Sequence, residues 1–305
     1  MNTVYIISHW DIDGIVSAAL IARSTNITKT RITKIRLSTI SALNANIMHA
    51  LNKSFYIQPF TNFVIIDLNP PQSCIHDIAS LLLNAIEMGI NVYWIDHHVW
   101  DPNNIEILKS IGVKIYLDQN KVSAEIVRDL VGLDDMVSNT LVELAKDDDL
   151  FLNRFPYTVK LRRILRWYDW SIRYRVLKSF INGSIWPIWA EKLYTQISDK
   201  YESLLDEVVK NYTVHDIKGT SVVVVKNIDP RLHPGEVQDK LEKNGVIGDL
   251  YILVYPTAIS LRSDTIDVSR IALALGGGGH QKAAGITNTI DIDHVLDVIS
   301  NFLGK

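Results

Sequence analysis

Residues 92–98 read VYWIDHH, a short run of β-branched and aromatic residues that ends on Asp96, His97 and His98. Apolar runs of this length suggest strands buried on both faces of a parallel sheet. A carboxylate and two imidazoles closing such a strand are costly unless coordinated or paired. One histidine there would read as a satisfied structural residue; the triplet reads as function. The arrangement recurs twice upstream. Residues 4–13, VYIISHWDID, set His9, Asp11 and Asp13 just past an apolar run, and residues 63–67, FVIID, end on Asp67. In open α/β sheets, ligands bind beyond the carboxyl ends of the strands. The three clusters are therefore expected in one crevice, which carboxylates and imidazoles share only if cations neutralise them. Oxygen and imidazole donors without thiolate point to a Mn²⁺-like ion, with Mg²⁺, Co²⁺ or Zn²⁺ also compatible.

Each cluster has a plainer reading. In H-x-D-x-D-G, alternate residues leaving a strand project to one side, so a short turn can deliver three ligands together. Gly14 and the small Ser17, Ala18 and Ala19 let the next helix start close to that site. Asp11 or Asp13 alone would read as a helix cap; the preceding histidine and the two other clusters favour ligands. Asp67, followed by Leu68-Asn69-Pro70-Pro71, would alone read as a residue opening a turn. Asp147, Asp148 and Asp149 follow a helical segment, where acidic residues are disfavoured near the C-terminus. Such a triplet is usually a solvated helix end, but one of the three is expected to complete the metal set.

The 305 residues exceed what one hydrophobic core usually supports, about 250–300 residues, so two domains are expected. With 47% apolar and 21% charged residues the chain folds around a substantial core. A net charge of -3 supplies no global attraction to nucleic acid or membrane, so any polyanion binding must be local. Cys74 is the only cysteine, which excludes an internal disulfide framework and fits a reducing compartment. No apolar run is long enough to span a bilayer, and residues 1–20 do not form a signal peptide. A soluble, cytoplasmic protein is expected, with no membrane partner.

Residues 1–150 alternate strand and helix signals, with strands at 4–8, 31–37, 63–67, 92–96 and 113–117 and helices at 14–24, 73–88, 123–130 and 139–146. This is the rhythm of a mostly parallel sheet covered on both faces. Residues 151–210 are helical in pattern, aromatic and basic, and Gly183 and Pro187 interrupt them. Residues 215–305 return to mixed α/β, with strands at 221–225, 250–255 and 259–263 and helices at 268–274 and 293–303. The expected fold is α/β: a parallel-sheet N-terminal domain (1–150), a helical connector (151–214) and a smaller mixed α/β C-terminal domain (215–305), with the active site in the cleft between the domains.

In order, His9/Asp11/Asp13, Asp67, Asp96-His97-His98 and a later Asp resemble the DHH phosphoesterase superfamily. The H-x-D-x-D spacing is similar to the archaeal RecJ-like branch, whereas class II pyrophosphatases have a longer gap. The resemblance implies two bridged metal ions, commonly manganese. By it, His9 and Asp11 serve one ion; Asp13, His97 and the late Asp serve the other; Asp67 bridges. His98 faces substrate and forms the catalytic pair with Asp96. The distance to Phe151 favours Asp147 as the late ligand, with Asp149 open.

Residues 276–285, GGGGHQKAAG, form a second anchor. Four glycines read as backbone that approaches an anion closely, not as packing, with His280 and Lys282 adding charge. A glycine-rich stretch alone is a weak signal whose plain reading is a flexible turn. With the histidine and Ala-Ala-Gly it resembles the DHH-associated C-terminal domain. That resemblance implies that Gly277, Gly278, Gly279, His280, Lys282 and Arg262 bind the substrate away from the scissile phosphate. It covers about residues 1–150 and 215–305 and leaves the middle segment unexplained.

That segment holds Arg154, Lys160, Arg162, Arg163, Arg166, Arg173, Arg175 and Lys178, interleaved with Trp167, Tyr168, Trp170 and Tyr174. Cations with aromatics suit single-stranded nucleic acid; the plain alternative is a helix whose aromatic face is core and whose basic face is solvated. The expected function is a metal-dependent phosphodiesterase on short RNA or DNA oligonucleotides or dinucleotides. It is nanoRNase-like and extends to 3′-phosphoadenosine 5′-phosphate. A RecJ-like processive single-strand exonuclease and a non-catalytic, replication-associated DHH scaffold are the alternatives, and a homodimer is left open.

Overall fold

The computed structural model describes residues 2–56, 59–287 and 290–303. The chain forms two units by backbone contact, Met1–Glu191 and Lys192–Lys305. The first contains β1 (Asn2–His9), α1 (Ile12–Arg23), the short α2 (Thr25–Thr28), β2 (Thr30–Ser38), α3 (Leu43–Tyr56), β3 (Asn62–Ile66), α4 (Ile75–Glu87), β4 (Asn91–Asp96), α5 (Pro102–Ser110) and β5 (Lys114–Leu117). Then follow α6 (Ser123–Val131), α7 (Met136–Asp149), α8 (Pro156–Trp167) and α9 (Trp170–Ile181), while α10 (Ile188–Val208) crosses the boundary between the units.

The five strands form one parallel sheet in the order β2-β1-β3-β4-β5. Alternate side chains of each central strand feed opposite cores, as a sheet covered on both faces requires. Val4, Ile6, Val64, Ile66 and Ile95 pack with α1, α6, α7, α8 and α9, for example against Ile15, Val127, Leu141, Leu161 and Phe180. Tyr5, Ile7, Phe63, Ile65 and Trp94 pack with α3, α4 and α5 through Ile47, Ile78 and Leu108. Fully burying side chains of this size contributes about 1.5–3 kcal/mol each. From β1 the chain runs to β2 on one side, and β3, β4 and β5 extend on the other. The strand order therefore reverses between β1 and β3, the switch point where α/β sheets bind ligands. Register aligns the ends there: Ser8 lies opposite Ile66, and Ile66 opposite Ile95. His9, Asp67 and Asp96 are each the next residue along one row.

The second unit contains β6 (Tyr212–Ile217), β7 (Thr220–Val225), α11 (Pro234–Lys243), β8 (Leu250–Val254), β9 (Ala258–Arg262), α12 (Val268–Ala274), β10 (Gly278–Gly279), β11 (Ala283–Thr287) and α13 (Ile292–Phe302). Its sheet runs β10-β11-β9-β8-β7-β6, with β7 and β8 parallel and the other pairs antiparallel. α12 and α13 cover one face through Ile271, Val295 and Ile299 against Val222, Val224, Ile252 and Leu261.

Three features depart from the sequence expectation. The stretch after β4, read as a loop, contains α5, started by Asp101, which accepts from the Asn103 N–H, and by Pro102 in the first turn. α7 runs on to Asp149, so the acidic triplet is its last turn. Two of the four glycines, Gly277 and Gly279, are a packing requirement after all. Gly278–Gly279 pair with Gly285 and Ala284 as a hairpin. A Cβ on Gly277 would lie 2.1 Å from the Gly285 carbonyl oxygen, and one on Gly279, whose φ is +143°, 2.6 Å from that of Ala283. Among the described residues, no helix is long and apolar enough to cross a membrane.

Candidate metal centre

The loop leaving β1 and the start of α1 hold the first cluster. Asp11 is the N-cap of α1: its Oδ1 accepts from Gly14 N at 3.0 Å, while Oδ2 lies 2.7 Å from His9 Nδ1. The capping and ligand readings of Asp11 are thus compatible, one oxygen for each. Close approach needs Gly14, where a Cβ would stand 2.4 Å from the His9 carbonyl oxygen. Asp13, the second residue of the helix, is buried and accepts from the backbone N–H groups of Ser123 (2.8 Å) and Ala124 (2.9 Å) at the start of α6. A helix N-terminus favours a carboxylate at that position.

Asp67 sits at φ +59°, a left-handed conformation that Asp and Asn adopt more readily than most residues. The following loop is fixed by Trp94, whose indole N–H donates to the Leu68 carbonyl at 2.7 Å. The result aims one oxygen each way. Oδ2 lies 3.8 Å from His9 Nδ1; Oδ1 lies 3.4 Å from His97 Nε2 and accepts from the Ser123 hydroxyl at 3.1 Å. His97 Nε2 is also 3.5 Å from Asp13 Oδ2 and 3.7 Å from Asp149 Oδ1. Donor atoms of His9, Asp11 and Asp67 lie within 4.8 Å of one another, as do those of Asp67, Asp96, His97 and His98. Asp67 is common to both groups.

Asp96 is fully buried, and both its oxygens are engaged. Oδ1 accepts from His97 N at 2.8 Å and meets His98 Nδ1 at 2.7 Å; Oδ2 accepts from the Trp100 indole at 2.6 Å. Against burial, the Asp96 carboxylate and that hydrogen bond raise His98 to about 9. Burial likewise opposes ionisation of Asp96, yet His98, His97 and Trp100 hold it well below the usual carboxylate range. The pair is therefore an imidazolium on a carboxylate at neutral pH. Asp11 is likewise held low against burial, by His9 and the Gly14 N–H, whereas Asp67, Asp13 and Asp149 behave oppositely. Burial and then the charges of Asp11, Asp13, Asp96 and Asp149 push Asp67 well above its ordinary value. Burial raises Asp13 and Asp149 to about 7 each, despite the imidazoles of His97 and His98 respectively.

These carboxylates repel one another unless cations join them, and Asp67 Oδ2 accepts no hydrogen bond among the described residues. With all donors oxygen or imidazole nitrogen, the set fits hard or borderline divalent ions.

Of the acidic triplet, Asp149 reaches this cluster and Asp147 does not. Asp147, favoured from the sequence, is fully buried and caps the next turn, with Oδ1 accepting from Arg154 N at 2.8 Å and Oδ2 from Phe155 N at 3.2 Å. Asp148 pairs with Arg162 Nε at 2.6 Å. The sequence reading did not single out Ser123 as a site residue and missed Trp100. The signal for Ser123 was a helix start whose N–H groups need a carboxylate; Trp100 carried no local signal.

In the second unit Arg262 Nε donates to Gln238 Oε1 at 2.7 Å, and Lys282 pairs with Asp264 at 3.0 Å on the surface. The His280 N–H closes the hairpin onto the Ala283 carbonyl at 2.8 Å, and Gly277, Gly278 and Gly279 line its other limb. The basic middle segment is largely built into the fold. Arg162 and Arg163 are buried, Arg154 pairs with Glu143 and Asp147, and Lys160 with Glu191.

No family model matches the chain, and no curated protein matches it. Solved structures do. RecJ from Thermus thermophilus in complex with Mn²⁺ superposes with a TM-score of 0.62 at 13% identity, over 98% of this chain and 52% of that one. An exonuclease RecJ bound to manganese gives 0.53 at 15% identity, over 98% and 88%. The DHH domain of a member of the s1p family of ribosomal proteins gives 0.50 at 16%, over 99% and 86%. The chain spans about half the length of the Thermus RecJ. A parallel-sheet unit followed by a mixed-sheet unit defines a two-domain α/β class. Within that class the chain shares its fold with these RecJ and DHH-domain structures.

The raised acids make metal-free stability pH-dependent. A carboxyl raised from about 4 to about 7 binds more protons folded than unfolded, so stability falls as pH climbs through that window. His98 acts in the same direction: its contribution is present below about 6.5 and lost as pH rises through about 9. Asp96, held low, contributes above about 4 and loses this as pH falls. Thermal melts in EDTA should therefore show less stability at pH 8 than at pH 5.5, and added Mg²⁺ should raise Tm more at pH 8. A flat EDTA profile would contradict this account.

Proposed function

We propose that the chain is a divalent-metal-dependent phosphodiesterase that hydrolyses short oligonucleotides or dinucleotides to mononucleotides. The observation that carries this is Asp67, whose two oxygens face two separate donor groups. His9, Asp11 and Asp67 would hold one ion; Asp67, Asp13, His97 and Asp149 the other. Such a pair supplies Lewis-acid stabilisation of phosphoryl oxygens and a nucleophilic water near neutral pH. The chain's own part is orientation and proton transfer. Asp96 fixes His98 through Nδ1 and keeps it protonated, so its ring donates a proton or hydrogen bond to the departing oxygen. Asp96 is then a positioning residue, with Trp100 holding it in turn. Mn²⁺ is the ion of choice, since two similar folds were solved with manganese; RecJ from Thermus thermophilus was solved with Mg²⁺ as well. Residues 1–150 would carry the chemistry and residues 215–305, through Arg262, Gly277–Gly279, His280 and Lys282, the far end of the substrate.

A second reading, a RecJ-like single-strand exonuclease, is favoured by the exposed Trp170 and Tyr174 beside unburied cations. Hydrolysis with Mn²⁺ of a two-nucleotide RNA against a strand of about 20 nucleotides separates the two, since single-strand sites span roughly 4–16 nucleotides. Loss of the dinucleotide alone is expected of the short-substrate enzyme. Preferential loss of the long strand supports the exonuclease. Turnover of neither, or equal turnover by Asp67→Asn, overturns both.

A further inference from the structure

The C-terminal sheet ends on β6, and the other sheet edges show what this one lacks. A bare edge strand invites pairing with another chain, and folds blunt it with basic side chains, proline, bulges or brevity. β2 carries Arg31, Lys34 and Arg36 and a register shift opposite Val4 and Tyr5. β5 has four residues and begins on Lys114, and β10 has two residues. β6 reads YTVHDI over six residues, with no lysine, arginine or proline, and its register with β7 runs unbroken. Residues 212–216 are exposed, Val214 by 55% and Tyr212 by 42%.

Bonding on the inner side fixes which backbone groups of β6 face outward. Ser221 of β7 donates its N–H to Asp249 Oδ2 at 2.8 Å, and its carbonyl accepts from Asp249 N at 2.8 Å. Both groups of Ser221 are thus spent on the side away from β6, so Ser221 and Asp216, which stand opposite each other, form a non-hydrogen-bonded pair. Such pairs alternate along an antiparallel ladder with hydrogen-bonded ones. Thr213, His215 and Ile217 therefore bond to β7, while Tyr212, Val214 and Asp216 turn their N–H and C=O groups outward. Among the described residues, those outward groups meet no partner strand.

We propose that β6 is a self-pairing edge, through which two copies of this chain join by antiparallel β6–β6 contact about a two-fold axis at Val214. The outward set matches itself in that register. Val214 meets the partner's Val214, and Tyr212 and Asp216 meet the partner's Asp216 and Tyr212. Every outward residue faces an outward residue, and each pair exchanges both of its N–H···O bonds. A slip of one residue would set outward groups against inward ones, and a slip of two would leave an outward residue of each strand unpaired. On one face the two Val214 side chains meet between the Tyr212 rings, and no acid opposes an acid. Lys210 and the partner's Lys218 flank the pair at each end, a like-charge cost that keeps the contact weak. An isologous contact closes on itself, which ends the growth a bare edge otherwise permits. The inference is independent of the phosphodiesterase reading.

Sedimentation equilibrium of the full chain tests the pairing. The wild type should pass from monomer to dimer with a dissociation constant of roughly 10–100 µM, as suits a contact burying less than about 1,200 Å². Val214→Pro removes an outward N–H without touching the β6–β7 ladder, since proline is accepted on the open side of an edge strand. It and Val214→Lys should each weaken association about 10-fold or more while keeping the wild-type circular dichroism spectrum. Cross-linking tests the register. In a Cys74→Ser background, which leaves no other cysteine, Val214→Cys should oxidise to a covalent dimer. Hydrogen-bonded opposite residues stand about 5.5 Å apart at Cα, inside the roughly 4.4–6.8 Å of disulfides. Thr213→Cys, which this register sets against the partner's His215, should cross-link far less. A wild type that stays monomeric up to about 200 µM would overturn the proposal and leave the edge to solvent or to a strand of another protein. A dimer indifferent to both Val214→Pro and Val214→Lys, or equal cross-linking at 213 and 214, would overturn it as well.

Discussion

Asp67→Asn is expected to abolish hydrolysis and, in the same protein, to raise the thermal stability of the metal-free form. The first effect follows from geometry. One Asp67 oxygen faces His9 and Asp11 and the other faces His97, so the carboxylate would give an anionic oxygen to an ion in each group, where an amide would give one neutral oxygen. Losing one charge-stabilising group in an active site costs about 10²–10³ in kcat, and a shared ligand should stand at or beyond the upper end. The second effect follows from electrostatics. Without metal, Asp67 is buried, and the charges of Asp11, Asp13, Asp96 and Asp149 add to burial in opposing its ionisation. Asparagine keeps the size, tolerates φ +59° and carries no charge. Melts in EDTA at pH 8 should show a higher Tm than wild type, about 2–4 °C for each kcal/mol relieved. Added Mn²⁺ should shift it far less than wild type. A variant that is less stable in EDTA, or fully active, would show that Asp67 is a structural turn residue.

This opposition between stability and function also explains what was legible in the sequence. Acids and histidines closing apolar strands violate the burial rule that the rest of each strand obeys, so they stand out without any structure. Their convergence was legible too, because parallel strands present their carboxyl ends to one edge. Which triplet member joins them was not. Asp147, Asp148 and Asp149 are successive residues of one helix, about 100° apart, and point three ways. Only the packing of α7 against α1 decides which way is inward. The glycines misled for a related reason. Their steric partners, Ala283 and Gly285, lie across a hairpin whose closure the sequence does not announce. The basic segment looked like a solvated or nucleic-acid face, yet Arg162 and Arg163 are buried, a state rare for arginine unless paired. Composition alone does not distinguish that from the exposed Lys34 beside Trp170.

The triplet itself yields the sharpest contrast, since substitutions two residues apart in one turn should fail in different ways. Asp149→Asn removes a carboxylate 3.7 Å from His97 Nε2, in the cluster around Asp13 and Asp67. It should weaken the metal and lower Mn²⁺-dependent hydrolysis by about 10- to 100-fold or more, the range for supporting groups of metal sites. Metal-free stability should not fall, because burial already raises Asp149 to about 7 and its charge is a liability without cations. Asp147→Asn should do the reverse. Its carboxylate is fully buried and accepts from Arg154 N, Arg154 Nε and Phe155 N. An amide must turn its own N–H groups toward one of these donors. Hydrogen bonds to a buried charge contribute about 1.5–3 kcal/mol, so Tm should drop by several degrees at about 2–4 °C per kcal/mol. The Mn²⁺ concentration for half-maximal activity should stay at the wild-type value below the melting range. If Asp147→Asn instead raised that concentration while Asp149→Asn left it alone, the assignment of the late ligand would be reversed, and α7 would have to turn its last residues differently from the arrangement described.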